Sequence, residues 1–127
     1  MESPAYHPET DAELLRCADM LAAMGNESRL GVMRLLLAAH PEGLVVGEIQ
    51  AALGIPGSTL SHHLERLRRE RLVEVRRKRQ YLWYSANAGS LGKLLRFLYA
   101  ECCSRNQAVE PARVVTCAPG SGKETMA

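Results

Sequence analysis

Two groups of side chains concentrate the chemistry of this chain. Cys102 and Cys103 are neighbours, and Cys117 follows fourteen residues later. Consecutive helical side chains diverge by roughly 100°. At a fraying helix end, with Cα atoms ~3.8 Å apart, two thiolates can nevertheless close on one large soft ion. Trivalent arsenic fits such donors, because it takes up to three sulfurs in a pyramid, and antimony(III) accepts the same set. The stretch between Cys103 and Cys117 spans up to ~45 Å when extended, so Cys117 can reach the pair. A site of two thiols favours methylarsenite, which offers two exchangeable positions. The same thiols admit other roles. Cys17 could bridge to Cys102 or Cys103 in a redox or persulfide sensor, or a cysteine could simply pack, as buried cysteines often do.

The second group is cationic. From Glu65 to Arg79 stand eight basic residues (Arg66, Arg68, Arg69, Arg71, Arg76, Arg77, Lys78, Arg79) against three acids, a local charge of +5 in a chain of net charge +2. Local cation density and counterion release, rather than overall charge, bind polyanions, so this distribution points to nucleic acid, with a solvated helix face as the plainer reading. The run Arg76-Arg77-Lys78-Arg79 sets four like charges within a Debye length, a repulsion that a phosphate backbone relieves.

Periodicity supplies the elements that position these groups. Thr10 and Glu13 read as a capping box opening a first helix through Leu14, Cys17, Ala18, Leu21 and Met24. Asn26 caps a second helix, apolar at Leu30, Val32, Met33, Leu36 and Leu37. A short third helix covers Val45 to Leu53 and breaks at Gly54-Ile55-Pro56-Gly57. Ser58 then caps a fourth, with Leu60, Leu64 and Leu67 on one stripe. Two helices across a short glycine-containing turn form a helix-turn-helix. Ser58, Thr59, Ser61 and His62 lie off the leucine stripe in the N-terminal half of its second helix, where a recognition helix meets phosphates and base edges. Of the adjacent His62 and His63, one should face DNA and the other pack. Beyond Leu72 the period falls to two: Val73 and Val75, a basic turn from Arg76 to Gln80, then Tyr81 to Ser85 make a hairpin, read as the wing of a winged helix. Tyr81 joins its cations in the expected DNA contact. Asn87 to Ser90 start a last helix carrying Leu91, Leu94, Leu95, Leu98 and Cys102 and ending near Ser104.

The expected fold is thus mainly α with a small β-hairpin: four helices, a wing and a fifth helix. The expected organisation is a flexible arm over 1–9, one winged helix-turn-helix domain over 10–104 and a flexible tail over 105–127. With 127 residues, 46% hydrophobic and 24% charged, one globular core is the natural outcome. No apolar run approaches the ~20 residues of a membrane span. No export signal is visible and adjacent cysteines make poor bridges, so a reducing cytoplasm is expected. An enzyme is not: there is no C-x-x-C and no nucleophile elbow, and Gly120-Ser121-Gly122-Lys123-Glu124 lacks the first glycine and final hydroxyl of a phosphate loop.

The segments Asn26-Glu27-Ser28-Arg29-Leu30 and Ser58-Thr59-Leu60-Ser61-His62-His63-Leu64, with the hairpin strand Tyr81-Leu82-Trp83-Tyr84, resemble the ArsR/SmtB family of metal-sensing bacterial repressors over roughly residues 10 to 104. The resemblance implies a homodimer built through the first and last helices that binds double-stranded operator DNA until an inducer releases it. It also implies where inducers sit in relatives. The C-V-C site of arsenic repressors is absent, Val45-Val46-Gly47-Glu48-Ile49 standing there, and the D-x-H ligands of zinc and nickel sensors are missing from Ser90-Leu91-Gly92-Lys93. A Cys-Cys pair ending the last helix resembles another arsenic-responsive branch, whose third cysteine lies closer than Cys117 does here. Across such a dimer, Cys17 of the other subunit is an alternative third sulfur.

Overall fold

The computed structural model describes residues 8–101, with side chains from 11 to 100. Helix α1 runs Pro8–Met24 and α2 Glu27–Ala38. They are followed by a two-residue strand β1, Leu44–Val45, then α3, Val46–Leu53, and α4, Gly57–Arg69. Strands β2, Val73–Lys78, and β3, Tyr81–Ala86, precede α5, Ala88–Glu101. Among the described residues, those up to Leu94 form one compact unit, and those from Leu95 to Glu101 fall in a second.

Several helix ends follow from the chemistry of single residues. Asn26 sits in extended backbone and its Oδ1 accepts the Arg29 amide at 3.1 Å, which caps α2. Asn87 does the same for α5 through the Ser90 amide at 3.1 Å. The Glu48 carboxylate reaches back to the Val45 amide at 3.1 Å, and Gly54, at φ 65, closes α3 in the left-handed conformation that glycine adopts without steric cost. Asn26→Ala should cost about 1 kcal/mol and Asn26→Asp almost nothing, as read by urea denaturation.

Four local expectations need correction. Helix α1 begins at Pro8, whose missing N–H and fixed φ suit a first turn, so Thr10 lies inside the helix and Pro8 and Glu9 do not belong to a loose arm. Helix α4 begins at Gly57 with Pro56 before it and no side-chain cap, which places Ser58 in the first turn instead of at the cap. The sheet has three strands, in the order β1-β3-β2, because Leu44 and Val45 pair antiparallel with Tyr84 and Trp83. Gly43 permits that approach: at φ 86, a Cβ there would fall 2.2 Å from the Tyr84 carbonyl oxygen. Finally, Arg76, Arg77 and Lys78 belong to β2, and only Arg79 and Gln80 make the turn, Arg79 at φ 62.

The core draws Cys17, Met20 and Ala23 from α1, Val32, Met33 and Leu36 from α2, Ile49 from α3 and Leu60, Leu64 and Leu67 from α4, closed by Leu72, Val73, Ala86 and Leu94. The β2–β3 ribbon and α4 thus grow from one packed base, which fixes α4 against the sheet.

Candidate nucleic-acid interface

Helix α4 has one dry and one wet side. Leu60, Leu64 and Leu67 are buried. At 3.6 residues per turn the stripe directly opposite carries Ser58, His62, Glu65 and Arg69, all exposed, and Thr59 and Ser61, also exposed, flank it. The four residues expected to meet DNA from this helix are therefore all presented to solvent. Arg66, Arg68 and Arg69 occupy its last turn, where cations suit the helix dipole. The Arg68–Glu65 pair, at 3.5 Å and half exposed on both sides, adds little stability.

The two adjacent histidines differ in exposure. His62 is exposed, and His63 is partly buried with its Nδ1 3.4 Å from Arg29 Nη1. Burial first, then the Arg29 guanidinium and His62, lower the His63 pKa below the ordinary imidazole value.

In the wing, register distributes the charges. Arg76 lies opposite Trp83 and Lys78 opposite Tyr81 on one face; Val75 opposite Tyr84 and Arg77 opposite Leu82 occupy the other. The four cations therefore do not form one cluster: two share an aromatic face, Arg77 points to the other and Arg79 takes the turn. Lys78 Nζ lies 5.4 Å from the centroid of the Trp83 ring, a cation–π contact that orders a long side chain. Lys78, Arg79, Tyr81 and Trp83 line a hollow of about 320 Å³. Arg76 Nη2 donates to the Glu42 carbonyl at 3.4 Å, which ties the strand to the turn before β1 and makes Arg76 partly an anchor. Arg77, Lys78, Arg79 and Tyr81 are exposed. Trp83 and Arg29 were not picked out as functional by sequence reasoning. The strand alternation that placed Tyr81 could have flagged Trp83, whereas no local pattern pairs Arg29 with a histidine 34 positions away.

Cys102, Cys103 and Cys117 lie outside the described residues. Cys17 is buried on α1, and burial, then Glu13, raise its thiol pKa against the opposing effect of Arg16. Among the described residues no group of three or more His, Cys, Asp or Glu side chains could hold a metal ion.

A helix-turn-helix domain model matches residues 24–76, from the end of α1 into β2. HlyU of Vibrio cholerae, described as a transcriptional activator, is 31% identical over 105 residues, covering 83% of this chain and 94% of HlyU. The chain belongs to the ArsR family of winged-helix transcriptional regulators. Within that family its fold is similar to NolR from Sinorhizobium fredii (34% identity, TM-score 0.57, 77% of this chain and 95% of NolR). It is also similar to Mb0332 from Mycobacterium bovis, described as a homodimeric winged helix-turn-helix DNA-binding domain (26% identity, TM-score 0.59, 79% and 92%). As an ArsR-family regulator the chain is a DNA-binding protein, and in such a fold α4 is the recognition helix and the β2–β3 ribbon the wing.

Proposed function

We propose that this ArsR-family regulator is a homodimeric transcriptional repressor that grips double-stranded operator DNA and lets go when trivalent arsenic binds its cysteine thiolates. The observation that carries DNA binding is the exposed polar face of α4, opposite its buried leucines, combined with a wing bearing four exposed cations. Phosphate contacts from Arg77, Lys78 and Arg79 set position, while Ser58, Thr59, Ser61 and His62 meet base edges and phosphates in the major groove. Dimerisation is supported by exposed leucines on α1 (Leu14, Leu15, Leu21) and α5 (Leu95, Leu98), which water would otherwise cover, and by the homodimeric Mb0332. Two recognition helices then meet successive major grooves about 34 Å apart. No helix among the described residues is long and apolar enough to cross a membrane.

The inducer follows from thiol chemistry. The sulfurs are Cys102 and Cys103, with Cys117 as third donor, and arsenite, methylarsenite and antimonite are the candidate ions. A second reading, a redox or persulfide sensor of the same fold, gains from the reduced form in which HlyU of Vibrio cholerae has been solved (31% identity, TM-score 0.58). Against a bridge through Cys17 stands its raised pKa, which leaves it protonated and a weak attacking group.

One titration separates the readings. A labelled duplex is recovered from a random-sequence pool with the wild-type protein. Sodium arsenite should lower affinity for it at least ~5-fold, the low end of allosteric coupling. Cys102→Ser/Cys103→Ser should bind as tightly and ignore arsenite. Release of the double variant by arsenite overturns the thiol site, and release of the wild type by peroxide or polysulfide but not arsenite favours the redox reading.

A further inference from the structure

The junction of α1, α2 and α4 contains a polar cluster that neither the reading face nor the wing uses. Arg29 lies in the first turn of α2, immediately after the Asn26 cap. Its Nε donates to the Ala23 carbonyl at the C-terminal end of α1. Its Nη1 lies 3.4 Å from Nδ1 of His63, on the recognition helix. One guanidinium therefore joins the end of α1, which carries the exposed leucines, to the helix that reads DNA.

The chemistry of the pair fixes its protonation. A guanidinium has donors and no acceptor, so the imidazole can take part only by accepting at Nδ1. That requires the neutral ring with its proton on Nε2. A second proton would turn Nδ1 into a donor facing a donor, with a cation beside a cation.

We propose that Arg29 and His63 form a proton-sensitive clamp that holds the recognition helix in its DNA-binding orientation, and that protonating His63 opens the clamp and weakens operator binding. The proposal rests on the DNA-binding reading above and adds to it two positioning residues and a second input, acidity, acting without the cysteines. Neither residue need touch DNA: His63 is partly buried, whereas Ser58 and His62 are exposed.

The charges that shift His63 come from Arg29 on α2 and His62 on its own helix; neither α1 nor β2, which also pack on α4, contributes one. All causes act in the same direction, favouring the neutral ring. The clamp is thus complete above the unfolded imidazole pKa and is lost as pH falls through the lower folded value. Exposed His62 stands on the proposed DNA face, so its imidazole is removed from the comparison.

The test separates these two histidines. His62→Gln serves as background, removing the exposed imidazole. In that background His63 is compared with His63→Gln, which still offers an oxygen to Arg29 and does not titrate. Between pH 7.5 and 5.5 the His63 protein should lose about fivefold or more in affinity for the selected duplex relative to His63→Gln, a coupling within the usual range. Parallel pH profiles overturn the clamp. A second measurement needs no DNA: imidazole resonances of the free, folded protein should show His63 titrating below the ordinary value and moving up in Arg29→Gln. An unchanged His63 titration in that variant overturns the coupling. A protein that passes this second test yet binds no duplex at any pH would refute the DNA-binding reading and leave the Arg29–His63 pair standing.

Discussion

Replacing Arg77, Lys78 and Arg79 of the wing together, as Arg77→Ala/Lys78→Ala/Arg79→Ala, should cut affinity for duplex DNA by about 150-fold at 0.15 M salt. The figure follows from counterion release. If each cation neutralises one phosphate, the variant loses roughly 0.9 per contact from the slope of log K against log salt, a total of about 2.7. Extrapolated from 1 M, where this contribution vanishes, that slope difference gives the loss quoted. Between 50 and 200 mM salt the wild type should therefore weaken ~40-fold more than the variant, a difference that fluorescence anisotropy resolves easily. Arg76→Ala should do less to the slope, because its guanidinium is already engaged by the Glu42 carbonyl. Arg34→Ala, an exposed cation on α2, should leave the slope unchanged. Equal slopes for wild type and triple variant would remove the wing from the DNA interface. Since all three side chains are exposed, each substitution should move folding stability by no more than about 0.5 kcal/mol, Lys78→Ala lying at the upper end because it also removes the Trp83 contact.

How much of this could be read without coordinates depended on the length over which each signal repeats. The leucines of α4 recur over two turns, so the helix, its buried stripe and its polar face were all legible. The cap at Asn26 was legible because it is a local bargain between one side chain and an amide three residues on, whereas Asn87 was read only as part of the start of α5. Strand β1 was not, since two residues cannot display an alternation. Its existence depends on Gly43 letting the chain approach Tyr84, forty-one positions away. The wing was placed correctly but its charges were not, because a run of four cations carries no mark of where a strand ends. Register against Trp83, Leu82 and Tyr81 assigns Arg76, Arg77 and Lys78 to the strand and divides them between its faces. The Arg29–His63 pair is wholly tertiary. The adjacent thiols Cys102 and Cys103, on which the proposed arsenic response rests, stand out in the sequence and lie outside the described residues.

The core should respond in the opposite sense to the wing. Leu64→Ala removes a side chain only 2% exposed from the middle of the α4 stripe. Buried Leu→Ala changes lose the transfer free energy of the deleted carbons and leave a partly uncollapsed cavity, together about 3 kcal/mol. For a domain of this size that corresponds to a fall in Tm of roughly 15 °C, read by circular dichroism at fixed protomer concentration. Leu37→Ala, on the partly exposed side of α2, should cost well under half as much. A domain of ordinary stability, about 5–15 kcal/mol, tolerates the loss and remains overwhelmingly folded at 25 °C. Duplex affinity of Leu64→Ala at 25 °C should therefore stay within about twofold of wild type. Its loss at higher temperature should follow the unfolding curve. The wing variant should show the converse, with normal melting and poor binding. If Leu64→Ala instead lost affinity at 25 °C while still fully folded, the leucine stripe would be tuning the pose of α4 on DNA as well as anchoring it.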